Sequence, residues 1–278
     1  MGAKNVIITG ASDGIGAAAV YGLIGKGYNL FFVGHVKKKT AKVAKDAGAP
    51  YFVADFAKLD EVRSLAKQLT GALGEQPLDV LANNAGGIFG AAKPTVDGYE
   101  RTFQINYLAP FLLTNLLLPK LLQSNGAVIN TSSIGHYYFG NIDIDDLNNK
   151  QDFKSTKAYG DAKLEDILFA KELDRRYHQQ GLAAVAFHPG NIRTNFANES
   201  KLRMHVIYHT FLNRLLSSPQ RGGDNLRWFI EGTPGQTWKS GSYYNERKLT
   251  SKVNPQVNDL ALQKKLWDKS VQLVGLDK

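Results

Sequence analysis

Short apolar runs alternate with runs of helical apolar spacing along almost all of the 278 residues. Short apolar runs between turn residues predict buried strands, and their alternation with helices is typical of a parallel sheet. No repeat, low-complexity tract or linker divides the pattern, so we expect a single domain over residues 1–278. The fold class that this predicts is α/β, with a doubly wound parallel sheet of about seven strands and helices on both faces.

The expected elements follow one another in a regular order. The predicted strands are 5–9, 30–33, 51–54, 78–82, 127–131, 183–187 and 242–244. The predicted helices are 17–23, 38–47, 59–73, 99–122, 159–177, 219–230 and 255–273. Ser218 before Pro219 is typical of a helix N-cap followed by proline at the first helical position.

The first strand leads into a glycine-rich turn, Thr-Gly-Ala-Ser-Asp-Gly-Ile-Gly at 9–16. Glycines let such a turn close and let backbone N–H groups approach a pyrophosphate at the following helix N-terminus. The spacing differs from the common Gly-x-Gly-x-x-Gly pattern. A plain strand-to-helix turn is the alternative, but three glycines in this position favour nucleotide binding. The candidate contacts are Gly10, Ser12, Asp13, Gly14, Ile15 and Gly16.

Tyr159 and Lys163 are four residues apart at the head of a predicted helix, so both side chains lie on one face. Lowering the pKa of a tyrosine from ~10 to about 7 requires roughly 4 kcal/mol of preference for the phenolate. A positive charge about 4 Å away supplies that much at an effective dielectric constant of ~20. The pair can therefore act as a general acid–base near neutral pH. An exposed lysine above a packed tyrosine is the commoner reason for this spacing.

The composition excludes several classes of protein. The chain has no cysteine, which excludes disulfides, thiolate metal sites and a cysteine nucleophile. The histidines form no metal-ligand pattern, since His205 and His209 lack the glutamate of a zinc helix, and we expect no metal. We interpret the net charge of +9 as a solvated surface, because no recognised module or aromatic–basic pattern indicates nucleic-acid binding.

No basic segment or apolar signal region comes before the strand-like run at residues 6–8. The most apolar long stretch, residues 107–122, contains two prolines, Asn115 and Lys120, and it predicts a buried helix instead of a membrane span. We expect a cytoplasmic protein without a membrane anchor.

Six motifs occur in a fixed order: the glycine turn, Asn-Asn-Ala-Gly at 83–86, Asn106, Thr-Ser-Ser at 131–133, Tyr-x-x-x-Lys at 159–163 and His-Pro-Gly at 188–190. Together they resemble the short-chain dehydrogenase/reductase family, which has a single-domain Rossmann fold. Ser-Ser-Ile-Gly-His at 132–136, the segment 159–173, the long gap before Tyr159 and the C-terminal segment are similar to the retinol dehydrogenase-like branch, which includes the WW-domain oxidoreductases.

The resemblance implies hydride transfer between a nicotinamide and a carbonyl or alcohol. It implies that Tyr159 exchanges the proton with the substrate oxygen and that Lys163 lowers the tyrosine pKa and holds the ribose hydroxyls. Ser133, more than Ser132, would donate a hydrogen bond to the substrate oxygen, and Asn106 would hold a water of a proton relay. A cofactor-binding sensor without turnover is the alternative, and the intact catalytic set argues against it.

Other positions that match the family's cofactor contacts lie after the predicted strands. Asp55, followed by Phe56, resembles the adenine-contacting aspartate, although a helix N-cap is an equal interpretation. Residues 83–86 would line the adenosine side, and the segment after the sixth strand would face the nicotinamide. The implied contacts are Asp55, Phe56, Asn83, Ala85, Gly86, Tyr159, Lys163, Pro189, Gly190, Ile192 and Thr194.

The residues after the second predicted strand favour NADP(H) over NAD(H). An acidic residue there would bind the ribose 2′-hydroxyl, whereas a basic residue accommodates a 2′-phosphate. The segment 33–38 has no acidic residue, and His35 and Lys37 are its basic candidates. The branch has arginine where His35 stands, so discrimination by a histidine that is mostly neutral is expected to be weaker.

The substrate is the least constrained part of the interpretation. Residues 191–220 fall where the family has a variable substrate lid, and they carry an apolar stripe that fits either core packing or a lipophilic pocket wall. Phe89 and residues 137–139 would complete such a pocket. His136 would contact substrate or make a local hydrogen bond, and His188 is expected to be structural. Monomer and homodimer both remain open, because residues 136–156 lie where they would obstruct the family's usual interface.

Overall fold

The computed structural model describes residues 2–90, 93–151, 153–192 and 217–277. One sheet has the strand order β3-β2-β1-β4-β5-β6-β7-β8. The strands are β1 Lys4–Thr9, β2 Tyr28–Gly34, β3 Tyr51–Val53, β4 Val80–Asn83, β5 Ala127–Thr131, β6 Ala183–His188, β7 Ser242–Asn245 and β8 Lys248–Leu249. The first seven are parallel, so the predicted α/β fold is confirmed. The strand order reverses between β1 and β4, and α/β sheets bind ligands at such a switch point.

The predicted count of about seven strands is one too low. β8 pairs antiparallel with β7 through Tyr244 and Leu249. Glu246, in the turn between them, has a φ of 55°, which a residue other than glycine adopts uncommonly. Because the turn contains neither glycine nor an Asn-Gly pair, the sequence gives no hairpin signal there.

Helices cover both faces of the sheet. They are α1 Gly14–Leu23, α2 Lys37–Ala47, α3 Leu59–Leu73, α4 Arg101–Leu122, α5 Gly135–Phe139, α6 Ser155–Tyr177, α7 Pro219–Glu231 and α8 Leu260–Leu273. One core cluster joins the sheet to α3, α4, α6 and α8, and another joins it to α1, α2 and α7. Ser218 caps α7 as predicted, because its hydroxyl accepts the N–H of Arg221.

The predicted helix 255–273 is divided in the structure. Residues Pro255–Asn258 form a single 3₁₀ turn, and Asp259 then caps α8 by accepting the N–H of Leu262. The Trp267 ring of α8 lies 5.0 Å from the Phe111 ring of α4 and 5.9 Å from the Phe169 ring of α6. The C-terminal helix therefore covers the outer faces of the two central helices.

The long helix α4 begins at Arg101, two residues later than predicted, because the Glu100 carboxylate caps the N–H groups of Thr102 and Phe103. Its second turn, Gln104–Leu108, is π-helical. Among the described residues it is the one helix with the length and apolar composition of a membrane span, and 61% of its apolar window is buried inside the protein. A core helix gives the same signature.

The segment before α6 packs tightly against it. A Cβ atom on Gly160 would lie 2.6 Å from the Gly140 nitrogen. The segment at Gly140 and helix α6 can therefore approach this closely only because both residues are glycine. The Asn254 side chain donates to the carbonyls of His136 and Gly140 and fixes this segment from the other side. The extra length between Ser133 and Tyr159 thus forms an ordered support for the head of α6.

Helix α6 carries a buried acid that has no evident partner. The Oε2 atom of Glu165 is buried and has no hydrogen-bond partner among the described residues. Burial raises the pKa of Glu165 well above its ordinary value, and the carboxylates of Asp161, Asp166 and Glu100 raise it further. Because the folded state prefers the protonated form, this group reduces stability as pH rises above the ordinary glutamate pKa.

We predict that Glu165→Gln stabilises the fold by about 1–3 kcal/mol at alkaline pH, since the amide removes an unpaired buried charge. The gain should fade as pH falls to about 4, where wild-type Glu165 is protonated in both states. Urea unfolding across this pH range measures it. Glu172→Gln is the matched control and should destabilise the protein, because the Glu172 carboxylate binds Arg175 and Arg176. A Glu165→Gln variant that is less stable than wild type at alkaline pH would contradict the prediction.

Candidate active site

A cavity of about 520 Å³ lies at the carboxyl ends of the parallel strands, at the switch point of the sheet. Its wall contains most of the predicted site residues: Gly10, Ser12, Asp13, Gly14, Ile15, His35, Asp55, Phe56, Ala85, Gly86, Ser133, Tyr159, Lys163, Pro189, Gly190 and Ile192. Four predicted residues are not in the wall, namely Gly16, Lys37, Asn83 and Asn106. Thr194 and most of the predicted lid lie outside the described residues.

The glycine turn has the backbone geometry that its sequence predicts. Gly10 and Gly14 have φ values of 66° and 55°. A Cβ atom on Gly10 would lie 2.9 Å from the Cα atom of Ala85, and one on Gly16 would lie 2.3 Å from the Gly10 carbonyl oxygen. Gly16 therefore permits close packing beneath the turn and does not line the cavity, and its predicted contact with a cofactor stays a prediction. The N-terminus of α1 faces the cavity.

The basic residues predicted after β2 are placed differently from one another. His35 lines the cavity, and its Nδ1 atom is 4.0 Å from Asp55 Oδ1. Lys37 is the first residue of α2 and does not line the cavity, which counts against its predicted contact with the cofactor. Lys39 instead points back to the glycine turn, where its Nζ atom is 2.7 Å from Asp13 Oδ2. Lys37 and Lys39 are two residues apart in the first turn of α2, so their side chains point in different directions.

The adenosine side of the cavity requires two corrections. Asp55 lines the wall and accepts the N–H of Ala57, whereas the N-cap of α3 is Lys58, so the N-cap interpretation of Asp55 is wrong. Asn83 is buried behind the wall, where its amide donates to Thr114 and Asn130. Asn84, the first residue after β4, lines the wall together with Ala85 and Gly86.

Both serines after β5 line the wall, but their hydroxyl groups have different partners. The hydroxyl of Ser132 is buried and donates to the Lys163 carbonyl oxygen at 2.6 Å. The Ser133 oxygen accepts the Gly135 N–H at 3.1 Å and remains at the cavity wall. A Cβ atom on Gly135 would lie 3.1 Å from the Tyr159 ring and 3.5 Å from the Ser133 oxygen. The glycine therefore allows the serine and the tyrosine to share one corner of the cavity.

Lys163 is held by two fixed acceptors. Its Nζ atom donates to the Thr131 carbonyl at 3.0 Å and to Asp166 Oδ2 at 2.9 Å, and the Lys163 and Asp166 side chains are only 5% and 6% exposed. The same nitrogen is 5.8 Å from the centre of the Tyr159 ring. An ammonium group has three N–H donors, so two acceptors leave one for the cavity. Burial raises the pKa of Asp166 to about 6, although the charge and hydrogen bond of Lys163 oppose this.

Asn106 lies in the π-helical turn of α4 and does not line the cavity. Its side chain accepts the Gly87 N–H and donates to the carbonyls of Gly87 and Thr102, each at 2.9 Å. The side chain thus clamps the loop after β4. Pro110 has no N–H to donate to the Asn106 carbonyl. Because the side-chain amide is occupied, the backbone carbonyl of Asn106 is the better candidate for holding a water, and its role in proton transfer stays a prediction.

The model of the short chain dehydrogenase family matches residues 4–204. This chain belongs to the short-chain dehydrogenase family. It is 37% identical to a Streptomyces sp. (strain C5) protein provisionally named a daunorubicin C-13 ketoreductase, over 98% of this chain and 93% of the relative. It is 33% identical to human retinol dehydrogenase 13, over 99% of this chain and 85% of the relative.

A solved structure of NADPH-bound carbonyl reductase from chicken fatty liver has the same fold. Its TM-score is 0.66 at 21% identity, and the match covers 90% of this chain and 99% of that one. The predicted family and its retinol dehydrogenase-like branch are confirmed by these relatives. This short-chain dehydrogenase is accordingly an NAD(P)-dependent oxidoreductase that acts on an alcohol or a carbonyl.

The two histidines near the site of this dehydrogenase have structural environments. His136 is fully buried, outside the cavity wall, and its Nδ1 atom is 2.6 Å from the Ser133 carbonyl oxygen, which favours the local hydrogen bond over substrate contact. His188 lines the wall but is 6% exposed. Burial lowers the pKa of His188 to about 4, so it is neutral at pH 7. Among the described residues, no three His, Asp or Glu side chains converge as a metal site would require.

Sequence reasoning missed several residues of the wall. Arg101 and Ile105, at the start of α4, reach the cavity, and the Arg101 guanidinium lies 4.3 Å from the centre of the Phe89 ring. Neither belongs to a motif, and only the packing of α4 beside the loop after β4 brings them there. Residues 137–139 are between 38% and 62% exposed and do not line the cavity. The predicted apolar stripe of the lid lies outside the described residues.

The two serines provide a matched test of the corner. We predict that Ser133→Ala lowers kcat by about 10²–10³-fold, because one donor to the developing charge is lost. Ser132→Ala should lower the free energy of unfolding by about 1 kcal/mol through the lost hydrogen bond and should leave most of the activity. Steady-state kinetics and urea unfolding of both variants measure this. Equal activity loss in the two would contradict the assignment of Ser133.

Proposed function

We propose that this chain is an NADP-dependent carbonyl reductase for a lipophilic substrate, with Ser133, Tyr159, Lys163 and Asn106 as its catalytic set. The observation that carries this is the corner of the cavity where Ser133, Tyr159 and the anchored Lys163 meet at the sheet's switch point. The reverse oxidation of the matching alcohol uses the same groups. Proteins with these motifs bind a nicotinamide dinucleotide, which would occupy this cavity.

The residues of the wall fit a dinucleotide. Gly10 lines the wall where a Cβ atom would meet the backbone of Ala85, and the N-terminus of α1 reaches the wall at Gly14 and Ile15, a position that attracts an anion. Asp55, Phe56 and Ala85 line the side where an adenosine would lie, and Pro189, Gly190 and Ile192 line the other end. When bound there, a nicotinamide supplies or accepts the hydride.

The protein groups supply the proton and position the substrate oxygen. Ser133 donates a hydrogen bond to that oxygen, and Tyr159 delivers its proton as negative charge develops there. Lys163 stabilises the tyrosine phenolate that remains and directs its third N–H toward the ribose hydroxyls. The backbone carbonyl of Asn106, which receives no N–H from Pro110, would hold a water that returns a proton to this chain of groups.

The names of two relatives support the inference that the substrate is bulky. One relative is named for a ketone position of daunorubicin and the other for retinol. Both are large molecules with extensive apolar surface. We infer that a large apolar aldehyde or ketone is a better substrate for this chain than a small polar one.

We predict that Tyr159→Phe loses about 10³-fold or more of NADPH-dependent carbonyl reduction, because the proton donor is absent. NADPH affinity should remain close to that of wild type, since Lys163 and the glycine turn are intact. A panel of aldehydes and ketones, from polar to lipophilic, measures the first effect, and fluorescence titration measures the second. Undiminished turnover in the variant would refute the assignment. NADPH binding without turnover on any carbonyl would instead favour the sensor interpretation.

The preference for NADP(H) rests on His35, on Lys39 and on the absence of an acid after β2. The neighbouring carbonyl reductase structure is described as NADPH-bound, which supports the same choice. Asp13 opposes it, because its carboxylate lies at the same edge of the cavity, but Lys39 pairs with it at 2.7 Å. A 2′-phosphate in this place would compete with Asp13 for Lys39.

We therefore predict that Lys39→Ala raises the KM for NADPH by about 10-fold, or roughly 1.4 kcal/mol, and changes the KM for NADH little. Neither lysine lines the cavity wall, but only Lys39 pairs with Asp13 at the glycine turn, so Lys37→Ala is the matched control and its two KM values should stay unchanged. Comparable dissociation constants of wild type for NADH and NADPH would refute the preference itself. An unchanged NADPH KM in Lys39→Ala would refute only the role of Lys39.

A further inference from the structure

Lys163 forms an ion pair with Asp166, a residue to which the proposed catalytic set gives no role. Asp166 lies one helical turn after Lys163 on α6, and its carboxylate is 2.9 Å from the lysine nitrogen. Both side chains are almost completely buried, so solvent screens the pair little. A negative charge therefore lies directly behind the positive charge that is needed beside Tyr159.

We propose that Asp166 is a positioning residue that fixes Lys163 between β5 and α6 and offsets part of its charge, so that Tyr159 keeps its proton for carbonyl reduction. The proposal rests on the proposed function, since it assigns Tyr159 as the proton donor. It adds a residue outside the family motif and a preferred direction of reaction.

The positioning part follows from the donors of the ammonium group. Thr131 and Asp166 accept two of its three N–H groups, from opposite sides, and the third is left for the cavity. A lysine side chain is otherwise flexible, with about 2 kcal/mol of rotamer entropy. The carboxylate oxygen thus fixes the direction of the remaining N–H, which would reach the ribose of a bound cofactor.

The effect of the Asp166 charge on the pKa of Tyr159 follows from the distance between the two side chains. Asp166 and Tyr159 are seven residues apart on one helix, which separates them by about 10 Å at ~1.5 Å per residue. A buried unit charge at that distance changes the proton affinity of a phenol by roughly one pH unit at an effective dielectric constant of ~20. The sign is fixed, because a negative charge destabilises the phenolate and favours the protonated tyrosine.

The surroundings of Asp166 contain few other charges. On its own helix the titratable neighbours are Lys163 and Glu165, and on α4 the neighbour is Tyr107, whose pKa is raised well above its ordinary value by burial first and by these acids second. Strand β5 contributes Thr131 and Asn130, which are neutral, and Asn130 donates to the Asp166 backbone carbonyl. Lys163 is thus the one cation that the described residues place against this carboxylate.

The test is a pH titration of the Tyr159 phenolate by ultraviolet absorbance, in wild type and in Asp166→Asn, with Tyr159→Phe identifying the transition. The asparagine keeps an oxygen acceptor for Lys163 and removes the charge. We expect the transition to move to lower pH by about one unit, and the pH profile of carbonyl reduction to lose its alkaline side by the same amount. NADPH affinity should not change.

Asp60→Asn is the control, because it removes an exposed carboxylate on α3 whose charge is screened by solvent, and it should leave the titration unmoved. If Asp166→Asn does not fold, Asp166→Ser removes the same charge and should give the same shift. Superimposed titrations of wild type and variant, or a shift to higher pH, would overturn the proposal. The ultraviolet titration of Tyr159 requires no turnover, so its result does not depend on the proposed function. The proposed function fails separately, if Tyr159→Phe retains the wild-type rate of carbonyl reduction.

Discussion

The ammonium group of Lys163 is the point at which the sheet, the catalytic helix and the cavity meet. It donates hydrogen bonds to a carbonyl at the end of β5 and to a carboxylate on α6, and its third N–H is left for the cavity. Ser132 ties the backbone of Lys163 to the same strand end. The position of Tyr159, one turn earlier on α6, is fixed as a consequence. The tight contact of Gly140 with Gly160 then holds the head of the helix in place.

Much of this arrangement can be predicted from the sequence, because it depends on local chemistry. The glycine turn requires positive φ values and close backbone approach, and both leave a pattern in the chain. The pairing of Tyr159 with Lys163 follows from helical spacing alone. The alternation of strands and helices predicts the parallel sheet, and the sheet's switch point then predicts where the turn and the pair meet.

The remaining features depend on tertiary contacts that no local pattern records. Lys37 and Lys39 read alike in sequence, yet only Lys39 reaches the glycine turn. Residues 83–86 are all expected at the wall, but Asn83 is still part of β4 and is buried, so the wall begins at Asn84. Arg101 reaches the wall through the path of a long helix, and the short hairpin of β7 and β8 forms around a non-glycine residue with positive φ.

We propose that a nicotinamide bound in this cavity would pass its hydride to a carbonyl carbon while Tyr159 supplies the proton. The most direct measurement is mass spectrometry of the product formed with NADPH that carries deuterium at the transferable position of its nicotinamide. The account predicts one deuterium on the carbinol carbon with wild type and almost no labelled alcohol with Tyr159→Phe. Unlabelled alcohol from wild type, or equal label from the variant, would contradict it.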